Sequence, residues 1–236
     1  HTLPILYLAG FLLTPPPTYA LELSGRDGQE LQLKKLDMKV VVEGPLSLTE
    51  MTMHFHNPQD RMIEGRFKLT LPTNATVSRF AKDVGNHLME GEVVERQKAK
   101  RVYTNFLHTP RDPALLENAH GNLFTTRVYP INPRKTFRIV LSYSALTKMN
   151  RDGKRLLTIP LRNLPKIGKF KLSVFVKPVH GEKLQFKKRS WFKDIIQIKK
   201  STDSNKLLMT LRQENLVPAE DLVLRFDAAN KDEKGS

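Results

Sequence analysis

Two histidines that stand two residues apart, His54 and His56, are the first side chains along the chain whose type and spacing could do chemistry. On a strand, residues at this spacing share a face, because successive side chains point to opposite sides. Imidazole nitrogens placed in this way suit zinc or copper, but a stable site needs at least a third ligand. The sequence around them supplies no third ligand, so we expect paired surface histidines here rather than a metal site.

A second group of ligand-type side chains follows about fifty residues later, at His108, Asp112, Glu117 and His120. A mixture of nitrogen and oxygen ligands of this kind can hold a divalent metal. A structural hydrogen bond or ion pair is an equally ordinary use of Glu117, because buried carboxylates are kept with partners. We therefore expect no bound metal and no cofactor.

The motifs that support the common catalytic mechanisms are missing from the sequence. There is no Gly-x-Ser-x-Gly nucleophile elbow, no phosphate-binding loop, no dinucleotide fingerprint and no His-Glu-x-x-His metal motif. The chain also has no cysteine, which excludes disulfides, thiolate zinc sites and cysteine nucleophiles. The sequence therefore predicts a protein that is not an enzyme.

The net charge of +15 is the most unusual property of the composition, and it is unevenly distributed. Residues 151–200 contain fifteen basic and three acidic residues. A field of this size attracts anionic surfaces and polymers but says nothing about the fold. Either these residues form a solvated face or the complement of an acidic neighbouring domain, or they bind a polyanion.

The best candidate for a polyanion contact is the cluster Lys187, Lys188, Arg189 and Lys193, which surrounds Trp191 and Phe192. Basic residues beside aromatic rings suit sulfated or phosphorylated polymers. The only tryptophan of the chain could equally belong to the core. An anionic polysaccharide or surface is therefore the second partner class that we consider, and no nucleic acid is expected.

The elements that must position these residues are mostly strands. Apolar side chains alternate with polar ones, which is typical of strands with one buried face. The runs with this pattern are 31–42, 51–55, 62–71, 123–129, 137–143, 156–161 and 169–179. No alternation of strands and helices is present, so a doubly wound sheet is excluded.

One segment departs from this period. Between residues 92 and 107, Ala99, Val102, Tyr103 and Phe106 recur at steps of three and four, which is helical spacing. The helix should end before Pro110, because the residue preceding a proline disfavours the helical region. The predicted fold class is mainly β, an antiparallel sheet system with one packed α-helix.

Residues 1–20 resemble a targeting segment. Residues 3–13 form an uncharged apolar run of the length of a signal-peptide core, too short for a spanning helix, which needs about 20 residues. Small residues at Thr18 and Ala20 would allow cleavage before Leu21. A hydrophobic N-terminal strand is the alternative, although the prolines at 15–17 argue against it. We therefore expect a secreted, periplasmic or cell-surface protein without a transmembrane span.

Seven short motifs follow one another along the chain: FHNP at 55–58, EGRF at 64–67, LTLP at 69–72, ATVSRF at 75–80, GEVVE at 91–95, PALLE at 113–117 and FTTRVYPINP at 124–133. Their ordered series resembles the VIT domain, which is found in inter-α-trypsin inhibitor heavy chains and in bacterial exported proteins. The resemblance implies structural roles for Asn57, Pro58, Glu64, Gly65, Pro72, Tyr103, Glu117 and Pro130.

The resemblance implies a β-sandwich-like VIT domain that works as a structural and interaction module. The expected organisation is a signal-like segment at 1–20, a VIT domain at 21–148, a β-rich extension at 149–227 and a linker at 228–236. The resemblance also implies a von Willebrand type A domain downstream as the partner. Whether residues 149–227 form their own domain or extend the first sheet is left open.

Overall fold

A computed structural model of the chain describes residues 20–72, 74–84, 87–91, 122–151, 154–177, 183–186, 196–200 and 207–227. These residues are predominantly in strands, and no helix occurs among them. The helix predicted over residues 92–107 lies outside the described ranges. The strands are β1 (Leu21–Gly25), β2 (Gln32–Glu43), β3 (Leu46–His56), β4 (Ile63–Leu71), β5 (Thr76–Val84), β6 (His87–Glu90), β7 (Asn122–Ile131), β8 (Thr136–Leu146), β9 (Lys148–Met149), β10 (Arg155–Ile159), β11 (Ile167–Lys177), β12 (Lys183–Phe186), β13 (Ile196–Lys200), β14 (Leu207–Leu216) and β15 (Leu222–Asp227).

The strands form one large sheet and two small ones. The large sheet has eight strands in the order β13-β14-β11-β2-β3-β8-β5-β6. A three-stranded sheet has the order β1-β4-β7, and a four-stranded sheet has the order β12-β15-β10-β9. All seven predicted alternating runs coincide with strands of these sheets, which confirms the mainly β fold class.

The centre of the large sheet explains why apolar and polar residues alternate in the sequence. On β2, Leu36, Met38, Val40 and Val42 are buried, whereas Lys39 between them is exposed. Their partners on β3 keep the same register, with Met53 opposite Leu36 and Met51 opposite Met38. Opposite residues of paired strands share a face, so one face of the sheet is apolar and buried. We call this the inner face, and the opposite side the outer face.

The pairing of β11 with β2 is parallel, so the large sheet is mixed, whereas its other strand pairs within the described residues are antiparallel as predicted. Parallel neighbours need a long crossover connection, which periodicity within single segments cannot reveal. The close approach depends on Gly168, because a Cβ atom there would lie 2.5 Å from the backbone oxygen of Lys34. Residues 167–177 therefore extend the sheet formed by residues 32–146.

The two small sheets share one core with the inner face of the large sheet. Leu21 and Leu23 of β1, Phe67 of β4, and Leu224 and Phe226 of β15 belong to the same cluster of buried residues as the inner face. An aromatic group forms part of it, since the rings of Phe67 and Phe55 meet edge to face with centroids 6.4 Å apart. This arrangement gives large rings the offset geometry that they prefer.

Candidate interaction surface

The Asn57-Pro58 corner is the most heavily bonded of the predicted motif positions. The Asn57 side chain is fully buried. Its Nδ2 donates to the carbonyl oxygens of Arg61 at 3.1 Å and Asn132 at 3.0 Å, while its Oδ1 accepts from the Gln59 amide at 3.0 Å. Asparagine bonded to the amide two residues ahead forms an Asx-turn. The corner is structural, because every polar atom of this side chain is used within the protein.

Gly65 and Pro130 occupy a bulge between β4 and β7, where the register shifts between Ile63 and Gly65. A Cβ atom at Gly65 would lie 2.9 Å from the Cδ1 atoms of both Leu23 and Ile131, so a larger residue would displace these two side chains. Two β7 residues, Tyr129 and Pro130, face the bulge. Proline is tolerated there because a bulge needs no ladder hydrogen bond from it.

Glu64 lies between two arginines. Its Oε2 lies 2.6 Å from Nη2 of Arg26, and its Oε1 lies 3.7 Å from Nε of Arg127. Pro72 directly follows the last residue of β4, as expected for a residue that cannot continue the ladder. Tyr103 and Glu117 lie outside the described residues, as do His108, Asp112 and His120.

The two histidines at 54 and 56 lie on the outer face. His56 Nδ1 lies 3.2 Å from the Thr136 hydroxyl, and His54 Nδ1 is buried without a hydrogen-bond partner in the described structure. Burial lowers the pKa of His54, helped by the nearby charges of Lys35 and Arg138 and opposed by Asp37 and Asp83. Within the described ranges, no three His, Cys, Asp or Glu residues are placed to hold a metal ion.

A cavity of about 430 Å³ lies where the three sheets meet. Thr49, Thr70, Tyr143 and Thr158 contribute hydroxyl groups to its lining. Burial raises the pKa of the Tyr143 phenol, and its hydrogen bond with Thr49 partly offsets that rise. The Ser47 hydroxyl also donates within the protein, to the Ala145 carbonyl at 2.9 Å. The Thr49, Tyr143 and Ser47 hydroxyls are therefore bonded within the protein, and we assign no ligand to the cavity.

The outer face of the large sheet carries a row of apolar side chains that cross four neighbouring strands. Leu208 on β14 is opposite Phe175 on β11, Phe175 is opposite Val41 on β2, and Val41 is opposite Leu48 on β3. Phe175 is 39% exposed and Leu48 is 48% exposed. We call Leu208, Phe175, Val41 and Leu48 the apolar row. Strands are about 4.8 Å apart, so the row spans roughly 14 Å between its end strands.

Lysines surround the apolar row. Lys199 on β13 is opposite Leu208 and continues the row at one end. Lys39 places its ammonium group 5.6 Å from the centre of the Phe175 ring, within the range of a cation–π interaction. Lys177 bonds to Glu43 at 2.6 Å. Lys39 and Lys199 are exposed and form no ion pair within the part of the chain that the structure describes, and Glu50 is opposite Lys39 on β3.

Three members of the row, Leu208, Phe175 and Val41, border a groove of about 600 Å³ on the outer face, together with Lys39, Lys177 and Lys199. A second, smaller groove of about 380 Å³ lies further along β2, β11 and β14. It is bordered by Lys169, Lys171 and Arg212, together with Glu214 and the ion pair of Lys35 with Asp37 at 2.8 Å. The outer face of β2, β11, β13 and β14 therefore combines exposed apolar side chains with an excess of cations.

The predicted contact cluster of Lys187, Lys188, Arg189 and Lys193 lies outside the described residues. Four other cations of the basic segment, Lys169, Lys171, Lys177 and Lys199, are on the outer face. Lys39 and Val41 were not recognised as surface residues of interest from the sequence. For Val41 the sequence did contain an indication, because Val41 is an apolar residue at an outward position of an otherwise regular alternation.

No helix within the described residues is long and apolar enough to cross a membrane. A model of the Vault protein inter-alpha-trypsin domain, VIT, matches residues 33–143. A search of curated proteins gave no match. Among solved structures, a Legionella pneumophila protein provisionally named a nutrient binding protein is similar, with 12% identity and a TM-score of 0.51 over 83% of this chain and 66% of its own.

Two further structures show weaker likeness. A mutant M1 zinc metallopeptidase from Deinococcus radiodurans, bound to a Tyr-Ser-Ala substrate, has 12% identity and a TM-score of 0.43 over 85% of this chain and 43% of its own. A Parabacteroides distasonis protein provisionally named a protease has 9% identity and a TM-score of 0.42 over 83% of this chain and 40% of its own. This chain spans at most 66% of the three structures.

Similarity at such low identity concerns the fold alone, because one fold hosts many functions. The family assignment rests instead on residues 33–143, which include the Asn57-Pro58 corner and the Gly65 bulge. Residues 33–143, which make up just under half of the chain, therefore match the VIT domain family.

Proposed function

We propose that the chain is a non-catalytic structural and interaction module of an exported or cell-surface protein. The observation that carries the proposal is the VIT match over residues 33–143, together with the use of its motif residues. Asn57, Glu64 and Gly65 are engaged in turn formation, ion pairing and close packing. Residues used in this way specify a shape that presents a surface, and function resides in that surface.

The proposed partner is a von Willebrand type A domain that follows the VIT domain in the complete protein. This part of the proposal is supported by the family resemblance of the sequence and by the β-rich character of residues 149–227. The outer face provides an exposed surface with apolar side chains, which is what a neighbouring domain would need. The proposal requires no cofactor and no metal in this chain.

The complete gene tests the partner directly. We expect the reading frame after residue 236 to encode the Asp-x-Ser-x-Ser metal motif that such a domain carries. Another kind of domain after residue 236, or none, would remove the type A partner from the proposal. It would leave the interaction surface itself to be tested separately.

Export is tested by fractionation of the cells that produce the protein. Residues 3–13 have the apolar character of a signal peptide, and cleavage is expected before Leu21. The mature protein should therefore appear outside the cytoplasm with Leu21 as its first residue in N-terminal sequencing. Retention in the cytoplasm with residues 1–20 intact would contradict this part of the proposal.

A second candidate function is binding of a polyanion through the basic segment at 151–200. It is supported by Lys169, Lys171, Lys177 and Lys199 on one face of the sheet. Retention on a heparin column should then fall steeply with salt, because binding of this kind depends on released counterions. The variant Lys187→Ala/Lys188→Ala/Arg189→Ala should elute earlier. Elution of the wild-type protein at low salt would exclude this function.

A further inference from the structure

We propose that the outer face of the large sheet binds an acidic amphipathic protein segment, with the apolar row as the centre of the contact. This inference rests on the proposed interaction function and names the surface and the partner's chemistry. The surface consists of the apolar row with Lys39, Lys177 and Lys199 around it.

The apolar row is the first argument, because isolated exposed apolar residues are ordinary but a continuous series is not. Leu208, Phe175, Val41 and Leu48 lie in register on four adjacent strands. Leu46 and Leu146, opposite each other at the next outward position of β3 and β8, are 41% and 56% exposed. Covering these side chains would remove apolar surface from water, which a polysaccharide or another purely polar ligand would not achieve.

Charge complementarity is the second argument. Lys199 ends the row and Lys39 flanks it, and neither forms an ion pair within the described ranges. A partner with acidic residues around an apolar stripe would match both features of the surface. A second copy of this chain would bring lysines against lysines, and such like-charge juxtaposition disfavours face-to-face pairing.

The dimensions fit a short helix or extended segment. The row extends roughly 14 Å across the strands. A helix of about ten residues has a similar length and presents leucines every three or four residues along one stripe. The groove of about 600 Å³ beside Phe175 and Leu208 would accept side chains from that stripe.

The test uses the 236-residue chain and two synthetic peptides of about 14 residues, the length of roughly four helical turns. The first peptide carries glutamates on one side and leucines on the other. The second keeps every glutamate and replaces each leucine with serine. Fluorescence anisotropy of the labelled peptides measures both affinities. We expect the leucine peptide to bind at least about 10-fold more tightly, because only this peptide can cover the row.

Two variants locate the binding site. The double variant Phe175→Thr/Leu48→Thr keeps strand-favouring residues and should weaken binding of the leucine peptide by about 10- to 100-fold. The variant Lys39→Gln/Lys199→Gln should weaken it by about 5-fold and reduce its salt dependence. The control variants Leu123→Thr and Lys135→Gln change exposed residues elsewhere and should bind like the wild type.

Equal binding of the two peptides, unaffected by Phe175→Thr/Leu48→Thr, would overturn the inference and favour polyanion binding. Absence of binding by either peptide would also overturn it. Both of these results concern the surface alone, whereas the reading frame tests the proposed type A partner and the fractionation experiment tests the proposed export. The peptide comparison on the wild-type chain needs no variant, so a folding defect cannot obscure the answer.

Discussion

The side-chain amide of Asn57 donates to the carbonyl oxygen of Asn132 across 3.0 Å, joining two turns that are 75 residues apart in the sequence. The same nitrogen bonds to Arg61 within its own turn. The backbone repeats the link, since the Asn57 amide donates to the Lys135 carbonyl at 3.0 Å. One buried side chain therefore fixes the end of β3 to the turn between β7 and β8.

Replacing Asn57 should destabilise the domain strongly. Asn57→Ala leaves buried carbonyl oxygens without donors, and each unsatisfied buried group costs about 1–3 kcal/mol. We expect the free energy of unfolding to fall by about 2–4 kcal/mol, measured by urea denaturation followed by circular dichroism. Asn74→Ala is the matched control, because its single bond to the Leu146 carbonyl is exposed. A loss below about 1 kcal/mol for Asn57→Ala would contradict the role assigned to the corner.

Replacing Glu64 should change the stability of the domain only slightly, although Glu64 also belongs to the series of VIT-like motifs. Its partner Arg26 has a side chain that is 78% exposed, and exposed ion pairs contribute only about 0–1 kcal/mol. Glu64→Gln should therefore change the free energy of unfolding by less than about 1 kcal/mol, and added salt should reduce the difference. A loss as large as that of Asn57→Ala would show that Glu64 has a buried role.

Gly168 is the position at which the C-terminal strands join the large sheet. In Gly168→Ala, the new methyl group would lie 2.5 Å from the Lys34 backbone oxygen, and backbone cannot move aside as a side-chain end can. We expect a destabilisation of about 1–3 kcal/mol in urea denaturation.

The matched control for Gly168 is Gly25→Ala. A methyl group at Gly25 would meet Oδ1 of Asp27 at 2.7 Å, which belongs to an exposed side chain rather than to the backbone, although it would disturb the bond from the Gln29 amide to that oxygen. This control should stay within about 0.5 kcal/mol of the wild type. Equal stability of both variants would refute the close contact between β11 and β2.

The burial of His54 predicts a pH dependence of stability. Its pKa is lowered in the folded protein by burial, so the unfolded chain takes up the proton first as the pH falls. The stabilising contribution of neutral His54 is present above its ordinary pKa of 6.5 and is lost as the pH falls through the lower folded-state pKa. His54→Gln should therefore flatten the fall in unfolding free energy between about pH 7 and pH 5.

His56→Gln serves as the control for this pH experiment, because His56 lies two residues along the same strand and bonds the Thr136 hydroxyl. Subtraction of the two curves removes the contribution of the remaining histidines. If His54→Gln does not change how the free energy of unfolding depends on pH between about pH 7 and pH 5, the lowered pKa assigned to His54 is wrong.

The strands that the sequence revealed are those with one buried and one exposed face. On β11, Phe170, Leu172, Val174 and Val176 are buried and alternate with the more exposed residues Lys171, Ser173 and Phe175, so period two was visible. On β14, residues 212–215 are exposed on both sides, and alternation disappears there. A strand that is exposed on both faces shows no alternation of apolar and polar residues, which is why β14 was not predicted.

The candidate surface could not be predicted from the sequence because it depends on register between distant strands. Val41 and Phe175 are 134 positions apart and meet through parallel pairing. Each alone looks like an ordinary apolar residue of a strand. The close approach at Gly168 belongs to the same class, since nothing in its local sequence marks Lys34 as its neighbour.

Cysteine labelling in the protein produced from its complete gene tests the central claim, that the outer face is covered by a partner. The chain has no cysteine, so Ser173→Cys introduces a single thiol between Lys39 and Thr210 on this face. Thr125→Cys places the control thiol at an exposed position of β7. Compared with the isolated 236-residue chain, the complete protein should react with maleimide at least about 10-fold more slowly at position 173 and equally fast at position 125. Equal rates at position 173 in both proteins would contradict the account.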